Sequence, residues 1–311
     1  MRKFISNLLS AFVFSAIAIS SGHALAEKSE SVPETTRPSD VPENYIATPF
    51  GFFHPSCVYE IKNDETLLQG LQVKKVTGEI KQIEECKFSN FLTKGVMRKK
   101  TDEATNAALD DQLQMYSVAS LDGSLLYMST NLRVPSEPEV DNGQTLYFMT
   151  GVHDNRNTSF YVVLGWNQLD YPGWTAVAWI CCESGVTVYS SPIITSENYT
   201  VRVQLERQID TLIARVLVSY GMVVLDGKQI STTNFLDPVN FIIGGAFEIF
   251  NVGSCDELPR SGYIVFDHID VLSTEYVELT NDFEQYYIHR YCNYNIDIVN
   301  QIGNSSVRFN F

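Results

Sequence analysis

The run GGAFEIF places one carboxylate, Glu248, inside an otherwise apolar stretch. A carboxyl flanked by Phe247 and Ile249 loses water if it faces a cleft. Its pKa then rises towards the range where one group both accepts and returns a proton. Strand alternation sends Glu248 to the face opposite Phe247 and Ile249, which fits an exposed edge as well as a cleft. Other polar groups offer a partner. Gln168 follows LGWN, Gln204 lies on the polar side of YTVRVQLER, and Glu183 after Cys181-Cys182 would make a two-carboxylate arrangement. Each of these three also reads as an ordinary solvated residue. Trp166, Trp174 and Trp179 carry flat faces that suit a peptide or a sugar, or that fill a core.

Other chemistries find no support. The chain has no His-Glu-x-x-His, no Gly-rich phosphate loop and no Gly-x-Ser-x-Gly. His54, His153, His268 and His289 are scattered, and FDHID, with Asp267 and Asp270 beside His268, reads as a solvated strand edge rather than a metal site. Asn157, Asn198 and Asn304 sit in Asn-x-Ser/Thr sequons.

These residues need elements to hold them. From Met115 onward the chain is a succession of short β-branched and aromatic runs, YSVAS, LLYMSTNLRVP, TLYFMTGV, SFYVVLGW, WTAVAWICC, VTVYSSPI, YTVRVQLER, TLIARVLVSY, NFIIGGAFEIF and GYIVFDHIDVL, separated by Gly, Pro, Asn and Asp. In YTVRVQLER, Tyr199, Val201, Val203 and Leu205 face one way and Thr200, Arg202, Gln204 and Glu206 the other, as in a half-buried antiparallel strand. The last residues alternate Val307, Phe309, Phe311, the pattern of a final strand. Such a string of strands without long helical patterns between them predicts one β-sandwich. Ahead of it, MRKFISNLLSAFVFSAIAISSGHALA reads as a secretory leader, with Ser6, Asn7, Ser10 and Ser15 breaking the apolar run a membrane span would need. The predicted organisation is a signal peptide (1–26), a flexible linker (27–45), an N-terminal segment (46–114) with a short helix over 101–114, and a β-sandwich domain (115–311).

A formal net charge of −15 repels nucleic-acid phosphates and excludes that class of partner. Six cysteines in an exported chain favour disulfides. Proximity along the chain favours Cys57 with Cys86 and Cys255 with Cys292. Adjacent Cys181 and Cys182 point to opposite strand faces, which leaves a vicinal bridge or another pairing open.

LRVPSEP leading into GQTLYFMTGVHD, then VVLGWN, WTAVAWI, and FEIF followed by a cysteine and Leu-Pro, resembles the glutamic peptidase-like proteins of the eqolisin superfamily, over roughly Tyr116 to Leu272. HPSCVYEI resembles their cysteine-bearing lead segment. The resemblance implies a concanavalin-like jelly roll whose concave sheet carries a Gln and a Glu with a water between them. The Glu acts as base and then acid, and the Gln amide steadies the oxyanion. It implies Glu248 as that Glu. Relatives carry Gln-Pro-Val-Leu where this chain has Tyr161-Val162-Val163-Leu164, so Tyr161 takes the place of the Gln. A phenol donates one hydrogen bond but lacks the paired donor and acceptor of an amide, and losing an oxyanion donor costs about 100- to 1000-fold in turnover.

The expectation is an all-β antiparallel sandwich with a small disulfide-stapled N-terminal segment. Its function would be a secreted or periplasmic acid peptidase-like protein hydrolysing peptide bonds through a Glu-activated water, impaired by the change at Tyr161. A non-catalytic binding module for peptide or glycan is the alternative. Glu248 and Tyr161 are the catalytic candidates, with Trp166, Trp174, Trp179 and Gln204 for substrate. The implied partner is a protein or peptide substrate, with no metal, cofactor or membrane span.

Overall fold

The computed structural model describes residues 40–311 except 63, 69–70, 93–113, 121–124, 155–158, 182–186, 190–191, 210, 233–238, 251, 275–282, 288–291 and 293–294. The leader, most of the linker, the helix expected over 101–114 as far as 113, and Asn157, Cys182, Glu183 and His289 lie outside the described residues.

Among the described residues there are no α-helices, and the strands run in order along the chain. The N-terminal segment contributes β1 (Ile46–Thr48), β2 (Gly51–Phe53), β3 (Val58–Glu60), β4 (Glu65–Leu68), β5 (Gln72–Lys75), β6 (Ile80–Gln82) and β7 (Phe91–Leu92). The next part comprises β8 (Gln114–Ser120), β9 (Leu125–Arg133), β10 (Thr145–Asp154), β11 (Ser159–Trp166), β12 (Trp174–Cys181), β13 (Thr187–Tyr189) and β14 (Ile193–Ile194). It continues with β15 (Thr200–Gln208), β16 (Thr211–Tyr220), β17 (Val223–Thr232), β18 (Val239–Phe250), β19 (Tyr263–Ser273), β20 (Glu284–Tyr287), β21 (Asn295–Val299) and β22 (Ser305–Asn310).

They form a sandwich of the jelly-roll kind. The front sheet has the order β20-β8-β18-β10-β11-β12-β13-β3, with β14 beside β12, and the back sheet the order β21-β22-β19-β9-β15-β16-β17-β4-β5-β6. Pairing is antiparallel except where β3 joins β13 and β4 joins β17. Alternation works as expected in β15, where Val201, Val203 and Leu205 are buried and Arg202 is exposed. The inter-sheet core holds Phe148 stacked on Phe247 (centroids 4.7 Å apart) and Phe266 against Phe309 of the final strand.

Two front-sheet strands do not alternate. Every residue of β11 and β12 is buried, which requires cover on both faces of the sheet. One face meets the inter-sheet core. The other meets the N-terminal segment: Val41, Tyr45, Phe50, Phe52 and Phe53 form a second apolar cluster with Tyr147, Met149, Tyr161, Val163, Val177, Trp179, Ala246 and Phe250. Burying an aromatic side chain of this size stabilises by about 1.5–3 kcal/mol, so the three Phe residues alone hold the cover down firmly. A small sheet, β1-β2-β7, carries them. The rest of the segment is built into the body, since β3 extends the front sheet and β4 to β6 the back one.

Both disulfides favoured by proximity are formed, Cys57–Cys86 and Cys255–Cys292, with Cα atoms 5.0 and 5.7 Å apart. Cys181 is also disulfide-bonded, to a partner outside the described residues. β17 is a strand without a counterpart in the sequence reading. Its Asp226-Gly227 has the form of a turn, yet Gly227 pairs with Leu217 in mid-strand, where a Cβ would lie 2.9 Å from Leu217 Cδ2. Close packing on a neighbour, not a turn, explains that glycine.

Candidate active site

Glu248 lies on β18 in register with Tyr147 of β10, which pairs with Gly165 of β11, which pairs with Thr175 of β12. Alternation turns Phe247 and Ile249 into the inter-sheet core and leaves Ala246, Glu248 and Phe250 on the face beneath the N-terminal cover. The carboxyl is 0 % exposed. Cβ atoms of directly paired residues stand about 5 Å apart, so the Tyr147 side chain is an immediate neighbour of Glu248, whose other register partner is Gln114 of β8.

The cover makes a specific contact here. The Tyr147 hydroxyl donates a hydrogen bond to the main-chain carbonyl of Ala47 on β1, at 3.1 Å. A peptide carbonyl is thus held by a phenol beside a buried carboxyl. The turn that follows is fixed by Thr48, whose hydroxyl donates to the Gly51 carbonyl (2.9 Å) and accepts from the Phe50 amide (3.1 Å). Phe50 then stacks on Tyr161 at 5.1 Å, and Phe52 meets Phe250 edge-on at 5.7 Å.

Tyr161 occupies the same face, opposite Gly151 of β10 and Trp179 of β12. Its row lies four residues from that of Glu248, about 13 Å along the strands. The Tyr161 hydroxyl has no hydrogen-bond partner among the described residues. Burial pushes its pKa well above the ordinary 10.0; the nearby Ser159 hydroxyl pulls it down, and the charge of Glu248 pushes it up. Ser159 is itself committed to the buried His153 ring at 2.7 Å. Tyr161 therefore stays a neutral phenol through the acid and neutral range.

Gln168 is fully buried, although its place after a strand reads as a solvated turn. The backbone of Asn167 (φ 52°) and Leu169 (φ 54°) on either side of it is left-handed, a conformation that costs non-glycine residues energy and persists only where surroundings enforce it. Asn167 supplies part of that enforcement, donating to Asp141 and accepting from the Gly173 amide. The Gln168 side chain folds back onto Gly165, where a Cβ would fall 2.7 Å from its Cδ. Its amide nitrogen donates to the Thr175 carbonyl and hydroxyl, both at 2.8 Å, and its oxygen accepts from the Trp179 indole at 3.4 Å. With both ends committed, Gln168 walls the Glu248 row rather than offering a spare donor.

The remaining sequence candidates separate. Trp179 shares the site face. Trp166 and Trp174 face the inter-sheet core, edge to face at 5.2 Å, because each is one residue out of phase with the site-facing positions of its strand. Gln204 is on the outer face of the back sheet beside Arg202 and Tyr127. The structure thus puts Glu248, Tyr161, Trp179 and Gln168 on one face, with Tyr161 about 13 Å along the strands from the Glu248 row, and adds Tyr147 and Thr175. Only alternation in TLYFMTGV marks Tyr147, and nothing local marks Thr175.

A second buried carboxyl, Glu257, is structural. It accepts from the Gly253 amide (2.9 Å) and the Asn142 side chain (3.0 Å), tying the loops at one end of the sandwich. His268 meets Asp267 at 3.0 Å on the surface, and no His, Cys, Asp or Glu cluster among the described residues is arranged to hold a metal ion.

No protein-family model and no curated protein matches the sequence. Solved structures of similar shape include a scytalidoglutamic peptidase bound to a peptide-based transition-state analogue, at 15% identity and TM-score 0.41, over 63% of this chain and 97% of that one. Another is SCP-B, an eqolisin-family peptidase in complex with the tripeptide Ala-Ile-His, at 15% identity and TM-score 0.40, over 63% and 97%. Galectin-Ib of Xenopus laevis follows at 12% identity and TM-score 0.26, over 46% and 95%. What the site can do follows from its own residues.

Proposed function

We propose that this chain is an extracytoplasmic, peptidase-like protein whose front-sheet groove binds an extended peptide and, in acid, hydrolyses it. Glu248 takes a proton from a water that attacks the peptide carbonyl, then returns it to the leaving amine. Tyr147 donates to the carbonyl oxygen, and Tyr161, which keeps its proton, is a second phenol donor further along the same face. The observation that carries this reading is the Tyr147 hydrogen bond to the Ala47 carbonyl beside Glu248. The chain's own β1 lies there as a bound peptide would, so turnover requires β1 and β2 to lift.

Purified protein is tested on an unfolded protein substrate in acid, beside Glu248→Gln. The wild type cleaves, and the variant loses about 100- to 10,000-fold, the worth of a general acid/base. Equal activity in both, or none in either, would overturn the catalytic part. The second reading is a non-catalytic module. It draws on the cover itself, whose segment is joined to both sheets and whose rings pack on the front-sheet face.

A further inference from the structure

The β16–β17 hairpin turns just beyond the end of β15, whose pairing with β16 reaches Thr200 opposite Ser219. On β16, Ala214, Val216 and Val218 are buried in phase, while Tyr220, next in that series, is 63% exposed. Tyr220 pairs with Val223 across the two-residue turn Gly221-Met222, with Gly221 at φ 57° as such a turn requires. Tyr220, Met222, Val223, Val224 and Leu225 are 51–101% exposed, and Met222 is the most exposed of them. The end of the hairpin thus carries five large apolar side chains, where a turn normally carries polar residues.

The geometry says what could cover it. Val223 and Val224 point to opposite faces of the ribbon and are equally bare, at 62% and 59%, so the tip is apolar all round. A flat protein surface covers one face only. Strand addition is blunted by the irregularity after Val218, where Leu225 is extra to the register. Six residues also fall far short of the roughly 800 Å² per partner that a stable dimer buries. A lipid interface needs neither a flat face nor a matching edge, because it closes around whatever enters it. Tyr199 packs edge-on against Tyr220 at 6.0 Å, placing two tyrosines on the sandwich side of the turn, the position tyrosine favours between headgroups and chains.

We propose that the β16–β17 tip inserts shallowly into the interfacial layer of a lipid bilayer and holds the protein on that surface. With a net charge of −15 the attraction is apolar rather than electrostatic, so binding withstands salt. The surface attachment is independent of the front-sheet site.

The test is flotation of the full chain with phosphatidylcholine vesicles, with and without phosphatidylglycerol, at low and high salt. The wild type floats in all four conditions. Met222→Ser combined with Val224→Ser, which alters only exposed side chains and should leave the melting curve unchanged, lowers the bound fraction at least about tenfold. In Met222→Trp the new indole shifts to the blue on adding vesicles, against three native tryptophans that are already buried. Wild type that stays unbound, a Ser variant that floats equally well, or a wild-type dimer in sedimentation velocity that the Ser variant breaks would each overturn the proposal.

Discussion

Phe50→Ala separates the cover as part of the fold from the cover as a gate. The ring is 5% exposed and stacks on Tyr161 at 5.1 Å with 30° between planes. Truncating a buried Phe costs about 3–5 kcal/mol, the spread reflecting how far the site collapses. Collapse is restricted here, since Phe52 and Phe53 beside it are packed on the same cluster. At about 2–4 °C per kcal/mol for a domain of this size, the melting temperature should fall on the order of 10 °C. The loss lies above Tyr161, not in the inter-sheet core, so the sandwich should keep its near-ultraviolet spectrum. Loosening the cover there should also loosen it over the Glu248 row, which lies beneath the same apolar cluster. Acid turnover should therefore rise in Phe50→Ala and return to background in Phe50→Ala with Glu248→Gln. Calorimetry at several scan rates and a protein-cleavage assay read the two effects. A melting temperature within about 2 °C of wild type would refute the packing argument. Turnover that rises equally in the double variant would refute Glu248 as its source.

Two other substitutions probe the same face. Gly165→Ala would put a Cβ 2.7 Å from Gln168 Cδ and 2.8 Å from its Nε2; in urea it should lower the midpoint by about 1–3 kcal/mol equivalent with an unchanged slope, as overpacking does. Tyr161→Phe should cost little at neutral pH, because the hydroxyl it removes has no hydrogen-bond partner among the described residues. Its effect appears in alkali. The fold holds the Tyr161 proton more tightly than the unfolded chain, whose phenol ionises around 10.0. Wild-type stability therefore falls as pH rises above that value, by about 1.4 kcal/mol per pH unit from this group. The variant lacks this contribution, so its denaturation midpoint should decline less steeply between about pH 10 and 11.

The sandwich was legible because alternation is a local property. Val201, Val203 and Leu205 declare a buried face in any strand long enough to show period two, and Val307 with Phe309 does the same for the last. The face Glu248 takes was legible for the same reason, since its neighbours Phe247 and Ile249 fix it, but alternation left open whether that face is exposed or covered. What lies on that face was not. Tyr147 and Thr175 join the site only through register across three strand pairs, and register depends on contacts between residues distant in sequence. The two outlying tryptophans show the same limit from the other side. Trp166 and Trp174 share a residue type with Trp179 but stand at positions of opposite parity on their strands, and parity, not ring chemistry, decides which surface a side chain reaches. The unbroken burial of β11 was visible in SFYVVLGW as a missing polar side, and it carried information that composition hid. A sheet strand without a polar face demands a second covering layer. Here that layer is a segment joined to both sheets through β3 and β4, whose backbone carbonyl at Ala47 reaches the phenol in register with the buried carboxyl. The apolar sheet face and its cover are therefore one feature of the fold: the sequence that makes β11 apolar on both sides also makes the cover necessary.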